Sequence, residues 1–184
     1  VYFGDTHLHT SYSVDAGAFG ARLAPRDAYV FAKGNEVTAS SGQPAKLRRP
    51  LDFLVVADHS DAMGFFPLIL AGKPEIMADP QGKKWHDMIK SGQGNAAALD
   101  IIGNFSNGTI SKAILPLPGT PAYISAWQDT IKAAEEANDP GRFTAFIGYE
   151  WTSNTGGNNL HRNVVFRDGG DKASQIVPFT TERP

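Results

Sequence analysis

"DFLVVADHSD", residues 52–61, contains a short apolar run followed directly by polar residues, and this pattern indicates the fold of the chain. The apolar residues 53–57 are typical of a strand buried on both faces, and polar residues follow where the strand ends. "FTAFIGYEW", residues 143–151, has the same design and ends its strand near a carboxylate. "PAYISAWQDTIKAAEEAND", residues 121–139, has apolar residues at nearly helical spacing and predicts a helix. Alternating strands and helices predict an α/β fold with mostly parallel strands.

Three further segments extend this pattern. We expect a short strand at about residues 2–8, a helix in "APRDAYVFAKG" at 24–34, and a strand in "LHRNVVFRD" at 160–168. Residues 73–120 are rich in Gly, Pro and Lys, and we expect them to form an irregular, partly helical insertion. The sequence therefore predicts one domain over residues 1–184, with the insertion covering one end.

Composition excludes several classes of protein. The 184 residues are 41% hydrophobic and 20% charged, as in ordinary globular domains. A net charge of -2 gives no strong nucleic-acid signal, and the apolar runs are too short to span a membrane. Without cysteine, the chain can have no disulfide, thiolate metal site or cysteine nucleophile. No signal peptide is visible, but the chain begins at Val1, so the compartment, export to a periplasm included, stays open.

Potential metal ligands collect at or just past the predicted strand ends. They are His7, His9, Asp15, Asp58, His59, Glu150 and His161. His7 and His9 are two residues apart on a strand, so their imidazoles point to the same face. Such a set of nitrogen and oxygen donors exceeds what one tetrahedral zinc needs, and it predicts two or three divalent ions, zinc, manganese or iron.

Each of these residues also has an ordinary structural explanation. A His-x-His pair is about as often structural as metal-binding, and Asp58 could belong to a helix cap. Glu150 could be a paired buried carboxylate, and His161 could lie on the surface. The occurrence of all of them at strand ends favours the metal site. His86 lies in a helical stretch, and we interpret it as part of a solvated face.

A cluster of divalent ions points to hydrolysis. Such ions activate a water molecule as hydroxide and stabilise the attacking and leaving oxygens, which suits a small-molecule phosphoester. Hydrolysis of an amide or lactone, and a metal-binding module without activity, stay open as alternatives. Serines near the motifs are interpreted as loop and capping residues. Four aromatic residues could line the substrate site, although core packing is their commoner fate; they are Phe65, Phe66, Trp85 and Trp151.

The same segments resemble a known family. "DTHLHTSYSVDAG" is similar to the first motif of the PHP (polymerase and histidinol phosphatase) superfamily, "LDFLVVADHSD" to its second, and "FIGYEWTS" with "NLHRNVVF" to its third. The nearest resemblance is to a PHP-related branch of unknown function. The resemblance implies a distorted (β/α)7 barrel with a dinuclear or trinuclear metal centre at the carboxyl ends of its strands. By position, His7 and His9 resemble ligands of a first metal, Glu150 a bridge to a second, and His161 a ligand of that second ion.

The resemblance also implies roles for the remaining candidates. Asp15 and His59 resemble ligands of a third metal, while Asp5 and Asp58 resemble partners that fix the orientation of metal-bound imidazoles. Glu150, His161 and Arg162 are the expected catalytic residues. Arg162 is a candidate for phosphate binding, and a solvent-facing arginine at a strand end is the alternative.

The chain departs from this family at its carboxyl-terminal end. Members carry further ligands on later strands, including an Asp-x-His pair, but no histidine follows His161. A complete barrel also usually exceeds about 200 residues. We therefore expect an incomplete barrel in the amino-terminal portion of a longer protein, with "FTTERP", residues 179–184, as the truncation point. Later residues or a second chain would supply the missing ligands.

Overall fold

The computed structural model describes residues 1–153 and 159–181. Its main sheet has four strands in the order β1-β4-β5-β6. They are β1 (Gly4–Leu8), β4 (Phe53–Val56), β5 (Thr144–Ser153) and β6 (Leu160–Val165). A second sheet pairs the short strands β2 (Val37–Thr38) and β3 (Pro44–Ala45). Strands β1, β4 and β5 run parallel, so their carboxyl ends meet at one edge of the main sheet.

Eight helices lie in the described residues. They are α1 (Val14–Ala18), α2 (Pro25–Ala32), α3 (Phe65–Ala71), α4 (Pro74–Ala78), α5 (Pro80–Lys90), α6 (Gly94–Ser106), α7 (Pro121–Ala137) and α8 (Gly170–Ala173). The structure confirms the helices predicted within residues 24–34 and 121–139, and the four strands of the main sheet lie where the sequence predicted strands. Residues 73–120 are more regular than expected, because α4, α5 and α6 occupy most of that segment.

The prediction of a (β/α)7 barrel is wrong. The described residues contain six strands in two sheets, and the main sheet is a curled half-barrel of four strands. Its curl is strong enough to bring its two edge strands close together. The side-chain amide of Asn163 in β6 donates a hydrogen bond to the carbonyl of Thr6 in β1 at 2.9 Å. The truncation expected at residues 179–184 falls partly on 182–184, which lie outside the described residues.

Strand β6 is antiparallel to β5, whereas the other two pairings of the main sheet are parallel. Strand β5 ends at Ser153 and β6 begins at Leu160. A parallel crossover needs a dozen or more residues, usually with a helix, and this connection is much shorter. The chain therefore has to return beside β5 in the opposite direction.

Two apolar clusters support the sheet. In the first, α2 and α7 cover one face of the sheet around Trp127 and Tyr149. The second joins α1, α3, α5 and α6 beside the carboxyl ends of the strands. Phe65, Phe66 and Trp85 are fully buried in this second cluster, so they serve the core and do not line an open site. Trp151 packs against the first cluster.

A helix that spans a membrane has to be both long and apolar. Among the helices that the structure describes, none combines the length and the apolar character that crossing a bilayer requires.

Candidate metal centre

Backbone pairing beyond the end of β4 places Glu150 beside His59. The two residues form an isolated parallel bridge past Val56. The N–H of Ser60 donates to the carbonyl of Glu150 at 2.8 Å, and the N–H of Glu150 donates to the carbonyl of Asp58 at 3.0 Å. Main-chain hydrogen bonds therefore hold a histidine and a carboxylate next to each other before any side-chain contact is considered.

Glu150 lies at the centre of four imidazoles and is only 1% exposed. Its Oε2 lies 3.2 Å from His7 Nε2, 3.0 Å from His9 Nε2 and 3.4 Å from His59 Nδ1. Its Oε1 lies 2.8 Å from His161 Nδ1. A carboxylate oxygen has two lone pairs, so three imidazole nitrogens around Oε2 exceed what ordinary hydrogen bonds satisfy. This crowding favours cations among the donor atoms.

Asp15 extends the cluster on the side of α1. Its Oδ2 lies 3.3 Å from His59 Nε2, and its Oδ1 lies 3.8 Å from His9 Nδ1. Burial would raise the pKa of Asp15, but hydrogen bonds with His59 and His9 hold that pKa well below its usual value. Burial would likewise lower the pKa of His59, but the carboxylates of Asp15, Asp61 and Glu150 raise it above its usual value. The cluster is thus organised around opposite charges.

The six predicted ligands form three overlapping groups. Within each group, one potential ligand atom from each residue lies within 4.8 Å of the others. The groups are His7, His9 and Glu150; His9, Asp15 and His59; and His59, Glu150 and His161. Each of His9, His59 and Glu150 belongs to two groups, so the arrangement suits neighbouring ions that share ligands.

The spacing of the donor atoms fits divalent ions. Two ligands that each lie about 2.1 Å from a zinc ion, at tetrahedral or octahedral angles, are about 3.0–3.4 Å apart. The distances from Glu150 to imidazole nitrogens of His7, His9 and His59, from 3.0 to 3.4 Å, lie in this range, and the distance to His161 is shorter at 2.8 Å. Imidazole and carboxylate donors suit zinc, manganese or iron. These buried groups could therefore hold a metal ion.

Asp58 acts on the cluster through Ser13. Asp58 is fully buried and accepts hydrogen bonds from the N–H and hydroxyl of Thr10, at 2.5 and 2.6 Å, and from the hydroxyl of Ser13 at 3.1 Å. Burial raises the pKa of Asp58, and the hydrogen bonds from Thr10 and Ser13 oppose that rise. The Ser13 oxygen also lies 2.7 Å from His9 Nδ1 and accepts the N–H of His59 at 2.9 Å.

This chain of contacts assigns a role to His9 Nδ1. The hydroxyl proton of Ser13 is directed to Asp58, so His9 Nδ1 is the donor to the Ser13 oxygen. His9 Nε2 faces the Glu150 oxygen 3.0 Å away, where it can donate a proton to that oxygen or bind a metal ion through its lone pair.

Two predicted residues have other contacts. The carboxylate of Asp5 accepts a hydrogen bond from the backbone N–H of His7 at 2.8 Å, so it contacts the main chain of His7 rather than the imidazole. Arg162 pairs with Trp151 across β5 and β6, whereas His161 pairs with Thr152. Neighbouring residues of a strand face opposite sides, so Arg162 lies on the face away from His161 and Glu150, and its guanidinium donates to the His161 carbonyl.

His86 lies outside the cluster but is not on a solvated face as expected. It is half-buried, and its Nδ1 lies 2.8 Å from the carbonyl of Ile69 in α3.

Three polar residues of the site were not singled out by the sequence. Ser13 was interpreted as a capping residue, yet it precedes α1 without a side-chain cap hydrogen bond and contacts His9 instead. The hydroxyl of Thr152 lies 2.7 Å from His59 Nδ1 and 3.1 Å from His161 Nδ1. Thr152 follows Glu150 by two residues on the same strand face, a spacing that could have revealed it. Asp61 is 6% exposed, and its Oδ1 lies 3.8 Å from His59 Nδ1.

Comparisons with known proteins give one match. A family model described as "Protein of unknown function (DUF3604)" matches residues 1–184. Neither the curated proteins nor the solved structures include a match to this chain.

Proposed function

Since this chain belongs to the DUF3604 family, whose function its description leaves unknown, we propose from the residues themselves that it is a metal-dependent phosphoesterase of the PHP type. The observation that carries the proposal is the set of four imidazoles around the buried carboxylate of Glu150. Shared ligands bring neighbouring ions close enough to contact one phosphoryl group together. A single structural ion would not require three overlapping groups of ligands.

The chain's own residues would hold and orient the ions. His7, His9 and Glu150 provide one group, and Glu150 also belongs to the group of His59 and His161, where its Oε1 lies beside His161. Bound divalent ions would supply the Lewis acidity that makes water a nucleophile at neutral pH and that neutralises charge on phosphoryl oxygens. Hydrolysis would then add water to phosphorus and release the alcohol with a proton. No side-chain nucleophile is needed in this scheme.

Asp58 and Ser13 would keep His9 ready for an ion. With Nδ1 donating to Ser13, the lone pair of His9 stays on Nε2, which faces Glu150. Outer partners of this kind typically change metal affinity by about 10-fold to 100-fold. Arg162 is not part of this scheme, because it lies on the opposite face of the β5–β6 pair.

The first experiment measures metal content in protein purified without chelator. Glu150→Gln removes a ligand shared by two of the three groups, so we expect it to lose at least one equivalent of metal per chain. His86→Ala is the matched control, because this histidine contacts Ile69 in α3 and lies outside the groups. Equal metal content in wild type and Glu150→Gln would contradict the assignment of the ligands.

The second experiment separates the proposed reaction from its alternatives. Wild type loaded with zinc, manganese or iron is assayed with 4-nitrophenyl phosphate, bis(4-nitrophenyl) phosphate and 4-nitrophenyl acetate. Turnover of the phosphates that disappears in Glu150→Gln would support the proposal. Turnover of the acetate alone would favour a carbonyl hydrolase, and bound metal without turnover of any ester would favour a metal-binding module.

A further inference from the structure

A cavity of about 180 Å³ opens beside the candidate metal centre. Part of its wall consists of the candidate ligands Asp15, His59 and His161. Helices α1 and α6 contribute the apolar part of the wall, namely Val14, Ile102 and Phe105. The cavity therefore joins the donor atoms on one side to an apolar surface from α6 in the segment predicted as an insertion.

The size and charge of this cavity restrict what it can hold. A cavity of about 150 Å³ holds one benzene molecule, so this cavity has room for about one ring. Among the described residues that line it, none is a lysine or arginine. A phosphate group would find positive charge only at the ions and imidazoles, and a second anionic group in the cavity would be repelled by the carboxylates of Asp15 and Asp61, with no lysine or arginine among the described lining residues to offset them.

Asp61 supplies a second, independent observation. Its side chain lines the cavity, is 6% exposed, and has an Oδ1 that, within the part of the chain described, accepts no hydrogen bond. His59 Nδ1 lies 3.8 Å from this oxygen, which is an ion-pair contact too long for a hydrogen bond. A buried carboxylate oxygen that accepts no hydrogen bond is costly, so this atom points to a ligand that donates to it. Asp61 is not a member of any of the three ligand groups.

Resting on the proposed function, we propose that the substrate is a phosphomonoester whose alcohol portion is a neutral group the size of one ring with a hydroxyl that donates to Asp61. The phosphoryl group would lie at the donor atoms around Glu150, and the ring would lie against Ile102 and Phe105. Val14 and α6 therefore determine which ester is accepted, while the ligands determine the reaction. Sugar bisphosphates and other esters with a second anionic group are poor substrates in this scheme.

Phosphonates that cannot be hydrolysed test the cavity through binding. Dissociation constants of methylphosphonate, phenylphosphonate, and 3- and 4-hydroxyphenylphosphonate are measured by calorimetry on the metal-loaded protein. We expect phenylphosphonate to bind about tenfold more tightly than methylphosphonate, and Ile102→Ala to remove most of that gain. Leu99→Ala is the matched control, since Leu99 lies on the exposed side of the same helix at 66% exposure, and it should leave both constants unchanged.

The hydroxyl isomers test Asp61. We expect at least one hydroxyphenylphosphonate to bind about tenfold more tightly than phenylphosphonate in wild type, and Asp61→Ala, which removes the acceptor, to abolish this preference. Equal binding of the methyl and phenyl compounds, or a phenyl preference that survives Ile102→Ala, would overturn the cavity assignment. No gain from either hydroxyl isomer would overturn the role of Asp61.

The same experiment distinguishes failure of this inference from failure of the proposed function. If phosphonates bind and phosphate esters are hydrolysed without any preference for a ring, the substrate class is wrong and the phosphoesterase stands. If no phosphonate binds and the metal-loaded protein hydrolyses no phosphate ester, both proposals are overturned.

Discussion

Replacing Ser13 by alanine should destabilise the fold and weaken metal binding together. The Ser13 hydroxyl is fully buried and contacts the imidazole of His9, the backbone N–H of His59 and the carboxylate of Asp58. Ser13→Ala removes all three contacts at once. It leaves the His59 N–H buried without this acceptor, and it removes one of three donors to Asp58.

The magnitude follows from these contacts. Each of the two hydrogen bonds to neutral partners contributes about 1 kcal/mol, and the one to the carboxylate contributes about 1.5 kcal/mol. We therefore expect Ser13→Ala to lower the free energy of unfolding of the metal-free protein by about 3.5 kcal/mol. Because His9 loses the partner that orients its ring, metal affinity should also fall by about 10-fold to 100-fold.

The assay is urea unfolding of chelator-treated protein, followed by titration with zinc under native conditions. Ser11→Ala is the matched control, because Ser11 is a buried serine of the same loop. Its backbone N–H donates to the carbonyl of Leu23, and that hydrogen bond survives the substitution. This control should change the free energy of unfolding by less than about 0.5 kcal/mol. If Ser13→Ala behaved like Ser11→Ala in both measurements, the role assigned to Ser13 would be refuted.

Two further predictions concern packing and pH. Gly17→Ala should destabilise the protein by about 1–3 kcal/mol, because a Cβ there would lie 2.6 Å from Phe66. Gly103→Ala in α6 is the control: a Cβ there would meet no neighbouring atom within 4 Å, so this substitution should stabilise the protein by about 0.5–1 kcal/mol. Equal effects of the two substitutions in thermal unfolding would contradict this packing. Burial, with the charge and hydrogen bond of Asp129, raises the pKa of Tyr12 to about 12. Since this folded-state pKa exceeds the usual 10, the contribution of Tyr12 to stability is complete below pH 10 and is lost as the pH rises toward 12. Tyr12→Phe should therefore reduce the fall in the free energy of unfolding between pH 10 and 12. An unchanged dependence on pH in this variant would contradict the contacts assigned to Tyr12.

The sequence was informative where chemistry and local pattern coincide. Apolar runs that end in polar residues located the strands that carry His59 and Glu150, and parallel pairing brought these strand ends together. The potential metal ligands could be identified because an unusually large number of histidine and carboxylate side chains lie at the predicted strand ends. The helix at 121–139 was evident from its period alone.

The remaining features depend on tertiary contacts that no local pattern encodes. The short connection between β5 and β6 allows only antiparallel pairing of these two strands, and the expected barrel did not take that length into account. Serine is a residue type that often caps helices, so the sequence favoured that role for Ser13. Its hydroxyl instead contacts the site because Asp58, which follows β4 and lies 45 residues later in the chain, accepts its hydrogen bond. The cavity lined by Asp61 is closed on another side by α6, and the composition of residues 73–120 had suggested that this segment would be irregular.

The register of β5 determines which of its side chains face the candidate metal centre. Glu150 and Thr152 face the imidazoles because the strand pairs Val55 with Phe146 and Val56 with Ile147. A slip of one residue would turn every side chain of β5 to the other face, and it would put Trp151 where Glu150 now lies. The bridge between His59 and Glu150 continues this register past the end of β4, so the same main-chain hydrogen bonds that hold the sheet also align the ligands. The half-barrel therefore brings together six potential ligands from three strands, two loops and helix α1, without the closed barrel that the resemblance implied.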